Sequence, residues 1–172
     1  ATIGNPRLNL GATGKVGGGA TDVTATLRAD DLRFLGRGFR GAVNATGQVT
    51  DQPEGGRRIT AQGQARGLAI GQPKADAVLE GETTIDVVAR QLADGSLKVD
   101  RLRGGNGQFR IIGDGSPTDG LNLDARLNDL SLVVPGLPGP AELRGSIRNT
   151  GTTYDVDLSA TAPGETRATI AG

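Results

Sequence analysis

The chain of 172 residues has no histidine, cysteine, methionine or tryptophan, one tyrosine and three phenylalanines. Without cysteine there are no disulfides and no thiol chemistry, and the compartment is left open. Histidine and cysteine are also the commonest catalytic bases and nucleophiles, so an enzyme is not expected. Aromatic scarcity argues against a spherical core, which leans on large side chains. Charge of one sign is missing as well: Lys+Arg and Asp+Glu are both 19. With no basic excess and few stacking platforms, no nucleic acid partner is expected. No run approaches the ~18 apolar residues of a spanning helix, and no signal peptide is visible. Starting at Ala1 with no methionine, the chain is expected to be a piece of a longer one, with any anchor outside it.

What is present is alternation. Val23, Ala25, Leu27 and Ala29 share one parity, with Thr24, Thr26 and Arg28 on the other. A strand buried on one side reads this way. The same pattern predicts strands at 7–16, 58–65, 75–81, 83–89, 97–102, 107–113, 121–127, 141–147, 154–160 and 166–172. A helix is conceivable through Ile85, Val88, Ala89 and Leu92, but the β-branched run from Thr83 favours a strand. Turn signals such as Asp94-Gly95-Ser96 and Pro163-Gly164 fill the gaps. About twelve strands separated by turns mean an all-β antiparallel meander. Glycines fall on the inward parity at Gly41, Gly47, Gly63, Gly81 and Gly145, which lets a long sheet curl.

Positions 23–49 recur at 121–147 without a gap. Asp31-Leu32, Gly38, Gly41 and Gly47 return as Asp129-Leu130, Gly136, Gly139 and Gly145, and Arg28 returns as Arg126. Val43, Ala45 and Val49 return as Ala141, Leu143 and Ile147. The whole of 1–172 is read as one β-repeat segment, with copies over approximately 23–81 and 121–172. Repeated units that share one continuous core build extended surfaces rather than pockets.

Chemical motifs are weak. Gly36-Arg37-Gly38-Phe39-Arg40-Gly41 matches a dinucleotide fingerprint, but the following residues alternate with period two, so a turn is expected. Gly104-Gly105-Asn106-Gly107 starts like a calcium β-roll, but Phe109 stands where a ligand is needed. Asp114, Ser116 and Asp119 read as turn chemistry. Glu80 and Glu82 share a strand parity on a solvated face, without the aromatic cleft a glycosidase uses. No cofactor and no metal site is expected.

The remaining candidate is the apolar face. Its expected members in the first half are Val23, Leu27, Val43, Val49, Ile59, Leu79, Ile85, Val87, Leu97, Val99, Phe109 and Ile111. The second half adds Leu121, Leu123, Leu127, Leu143, Ile147, Val156, Leu158 and Ile170. Two packed sheets could bury this face, or a curled sheet could leave it as an open trough. Small inward residues beside Leu and Ile favour the trough.

The cadence of Val23 to Phe34 followed by Gly38 to Val49 resembles the TamB family, the translocation and assembly module subunit, and more broadly the AsmA-like proteins. It returns in Leu121 to Leu132 with Pro140 to Ile147, and Gly95 to Leu102 and Ala162 to Gly172 share the phrasing. The resemblance implies a β-taco, a folded-over sheet with an apolar interior groove. It implies a periplasmic body anchored in the inner membrane by a segment absent here, and a TamA-like outer-membrane barrel as partner of the full-length protein. It also implies a non-enzymatic conduit or chaperone for phospholipid acyl chains or unfolded outer-membrane protein strands. The rival expectation is a structural β-solenoid spacer or adhesin stalk with a closed core.

Overall fold

The computed structural model describes residues 2–5, 8–17, 20–164 and 166–172. Among them, twelve strands form a single antiparallel sheet in sequential order, not closed into a barrel. The strands are β1 (Thr2–Asn5), β2 (Leu8–Gly17), β3 (Ala20–Ala29), β4 (Phe39–Asp51), β5 (Arg57–Ile70) and β6 (Glu82–Gln91). β7 (Leu97–Gly105), β8 (Phe109–Ser116), β9 (Gly120–Leu127), β10 (Ala141–Asn149), β11 (Tyr154–Ala162) and β12 (Thr166–Ala171) follow. The fold is thus the all-β meander that the alternation predicts. Arg7, where the first long strand was expected to begin, lies outside the described residues. No helix among the described residues is long and apolar enough to cross a membrane.

The two ends of the strands differ. At one end, β4–β5, β6–β7, β8–β9 and β10–β11 are joined by tight turns. Asp94 shapes one of these by accepting hydrogen bonds from the Ser96 backbone N–H (2.9 Å) and hydroxyl (2.6 Å). The opposite end carries the longer connections. A 3-10 turn at Leu32–Leu35 joins β3 to β4, and another at Leu130–Leu132 joins β9 to β10. Asp31 and Asp129 cap them alike, each accepting a backbone N–H at 3.0 Å, from Arg33 and Ser131 respectively. The aligned stretches 23–49 and 121–147 therefore share a strand, capped turn and strand. Beyond them they differ: α1 (Pro73–Leu79) joins β5 to β6, but no helix lies between β11 and β12 among the described residues.

That helix corrects the strand expected at 75–81. Pro73 stands at the first helical position, where its missing N–H costs nothing, and Ala75, Ala77 and Leu79 are strong helix formers. The alternation there is incidental. Leu79 consequently ends a helix instead of lying on the sheet, and Gly81 sits between elements at φ 94°. Glu80 follows α1 while Glu82 begins β6, so the two do not share a strand. Flanking residues hold the helix in place. Asp76 accepts the Ile70 backbone N–H (2.7 Å), and the Asn106 amide reaches the Val78 carbonyl (2.9 Å).

α1 and the second 3-10 turn belong to connections four strands apart. In a flat sheet that is roughly 19 Å. Here they come within 8 Å of each other, Cα to Cα. The connections at this end therefore converge.

Candidate functional site: the apolar face of the sheet

Register places the expected apolar residues in rows that cross the sheet. One row runs Val23, Val49, Ile59, Ala89, Val99, Gly115, Leu121, Ile147 and Val156. The next carries Ala25, Gly47, Ala61, Val87, Leu102, Gly113, Leu123, Gly145, Leu158 and Ile170. A third carries Leu27, Ala45, Gly63, Ile85, Gly104, Ile111, Ala125 and Leu143. Val43 extends the face beside Ala29 and Ala65, Phe109 and Leu127 pair beyond the third row, and Leu97 lies before the first. Leu79 alone of the expected residues is off the sheet.

A residue missed by strict alternation is Leu102. Val99 and Leu102 are three apart, so period two would send Leu102 to the other face. A bulge in β7, between the pairs Val99–Gly115 and Leu102–Gly113, absorbs the extra residue. The polar pair Asp100-Arg101 inside an apolar run was the available signal.

Packing within the face is lateral. Where Gly63 would carry a Cβ, the Ile85 Cγ2 lies 3.0 Å away. Ile111 Cγ2 stands 3.2 Å from the same position on Gly104, and Leu123 Cδ2 3.1 Å from that on Gly113. Each large side chain lies over a neighbouring glycine, so apolar atoms meet without a second layer. The shelter is partial. No large side chain among the described residues is fully buried; the buried apolar residues are Ala29, Ala65, Ala69, Ala89 and, on the opposite parity beside Thr60, Val88. Ile85 remains 49% exposed and Ile170 59%.

Where small residues cluster, the face is hollow. Ala12, Ala25, Ala45, Gly47 and Ala61 floor a depression of about 340 Å³, walled by Leu10 and Leu27. Beyond the first row, on the tight-turn side, the same parity becomes polar at Asp51, Arg57 and Gln91. There the Arg57 guanidinium approaches the Asp51 carboxylate at 3.5 Å. The apolar band is thus bordered by charge on one side and by the 3-10 turns and α1 on the other.

The opposite face is a lattice of cross-strand ion pairs. Arg144 bridges Asp124 (2.9 Å) and Glu142 (3.3 Å), and Glu142 also takes Arg126 (2.6 Å). Arg101 and Gln62 both donate to Asp86 and hold its carboxyl below the usual range. Asp100 is lowered by the two-pronged contact of Arg90. The sequence motifs resolve into turns. Gly36–Gly38 leads into β4 and no helix follows it, while Ser116 and Asp119 bond each other at 2.8 Å.

Comparisons with protein-family models, curated proteins and solved structures found no match to the chain.

Proposed function

We propose that the chain is a non-enzymatic carrier segment whose sheet curls into a trough and holds acyl chains against its apolar face. One observation carries this reading: three apolar rows run across one sheet, and among the described residues no large side chain on them is fully buried. An aliphatic chain laid along these rows would gain ~25 cal/mol for each Å² removed from water. Converging connections at the α1 end are what a curled sheet would produce.

Between the two cargoes that the TamB resemblance implies, the chemistry of the face favours lipid. An extended polypeptide carries an N–H and a C=O at nearly every residue, and each needs a partner when buried. The three rows present only aliphatic side chains and glycines. A strand lying on them would leave its backbone unmatched, whereas an acyl chain has nothing to match. A periplasmic location, the inner-membrane anchor and the TamA-like barrel remain proposals that rest on that resemblance. A closed, dry spacer is disfavoured by the exposure of Ile85 and Ile170.

The test is native mass spectrometry of the purified chain, followed by lipid extraction. Co-purified lipids with long acyl chains are expected. A chain that emerges lipid-free and stays so after incubation with phospholipid would refute the reading.

A further inference from the structure

The end of the sheet that carries the 3-10 turns is not uniform. The first 3-10 turn exposes Phe34 (36%) and Leu35 (55%), and the neighbouring end of β5 exposes Ile70 (43%). These belong to one patch. Phe39 pairs with Ile70, and the turn after Leu35 is pressed against the turn before α1: a Cβ on Gly38 would sit 2.9 Å from Gly71 Cα. Arg37 lies in the first of these turns, Arg40 is the second residue of β4, next to Phe39, and Lys74 is in the first turn of α1; all three are exposed.

Glu80, at the far end of α1, has no side-chain partner among the described residues, and the other nearby carboxylates are engaged. Asp30 pairs with Arg28 (2.9 Å), Asp31 with Arg33 (3.4 Å), and Glu82 with Arg66 (2.8 Å). Asp76 is taken by the Ile70 backbone N–H (2.7 Å). Arg37, Arg40 and Lys74 have no ion-pair partner among the described residues. The aligned second turn differs: Val134 and Leu137 are exposed there, but residues 131–143 contain no cation.

We propose that the patch formed by the first 3-10 turn and the start of α1 docks on an anionic bilayer surface. Phe34, Leu35 and Ile70 enter the headgroup boundary, and Arg37, Arg40 and Lys74 meet lipid phosphates. Apolar insertion backed by clustered cations is the combination that holds a peripheral protein on such a surface. A neutral partner would have no use for three unpaired cations beside one apolar turn and none beside its counterpart. This docking does not depend on acyl chains occupying the apolar face.

The experiment is co-sedimentation of the chain with phosphatidylcholine vesicles, with and without phosphatidylglycerol. Binding is expected only to the anionic vesicles, weakening as salt rises. Each cation near such a surface contributes roughly fivefold. The triple variant Arg37→Gln/Arg40→Gln/Lys74→Gln should therefore lose at least about tenfold in affinity. Leu35→Ser should also weaken binding, while Arg58→Gln, which removes an exposed cation at the opposite end of β5, should not. Circular dichroism would check that each variant keeps its sheet. Equal binding to neutral and anionic vesicles, an unaffected triple variant, or self-association of the chain in place of vesicle binding would each overturn the proposal.

Discussion

Gly145 on β10 stands opposite Leu158 on β11 with a φ of 149°. The Asp157 carbonyl oxygen occupies the place where a Cβ would project, and Leu158 Cα lies 2.8 Å from it. Gly47, its counterpart in the aligned stretch, has no positive φ, and its nearest neighbour, the Thr60 carbonyl, is 3.5 Å away. Aligned glycines thus answer to different needs, one to backbone clearance and the other to a shallow floor under the hollow.

Gly145→Ala is accordingly expected to destabilise the chain by about 1–3 kcal/mol, the scale of local backbone strain. Gly47→Ala should stay within about 0.5 kcal/mol. Urea unfolding midpoints compare the two directly. Equal costs would mean that the positive φ of Gly145 is not what its strand requires.

Asn106 offers a second test. Its amide nitrogen faces the Val78 and Glu80 carbonyls (2.9 and 3.2 Å), and its Oδ1 accepts the Gln108 and Phe109 N–H groups (2.7 and 3.1 Å). Asn106→Ala leaves these groups to water and should cost about 1–3 kcal/mol. Hydrogen exchange should speed up most in α1 and the β7–β8 turn. Unchanged protection there would show that the helix is held by other contacts.

Acid should weaken the polar face and the second capped turn. Asp86, Asp100 and Asp129 have folded pKa values below the ordinary 3.8, held there chiefly by Arg101, by Arg90 and by the Ser131 backbone N–H respectively. The unfolded chain therefore binds more protons than the folded one in this range. Their stabilisation is complete above the ordinary aspartate value and drains away as pH falls through it towards the folded values. Thermal melts from pH 6 downward should drop most steeply below about pH 4. Asp100→Asn should flatten part of that slope. With Arg90 and Asp100 side chains 40% and 25% exposed, the substitution should cost no more than about 1 kcal/mol at neutral pH.

Period-two alternation made the meander legible, because a one-sided strand has to place its apolar residues two apart. The 3-10 turns were less visible: only the recurring Asp-Leu pairs hinted at two capped connections. Two features misled. Ala75, Ala77 and Leu79 alternate by accident inside a helix that Pro73 starts. The β7 bulge restores Leu102 to the apolar face against its parity. The hollow floored by Ala25, Ala45, Gly47 and Ala61 was hidden for another reason. Its floor depends on register among β3, β4 and β5, and register is not written within any single strand.

The most direct measurement is titration of the chain with a fluorescent fatty acid, alongside Ile85→Lys and Gln48→Lys. Ile85 lies on the apolar face at 49% exposure, and Gln48 is exposed on the polar side in the row of Thr24 and Thr60, so neither change disturbs a packed core. Saturable binding is expected, weakened at least about tenfold by Ile85→Lys, since a charge facing an acyl chain forfeits apolar contact, and left intact by Gln48→Lys. Absent binding, or equal loss in both variants, would contradict an acyl chain held on this face.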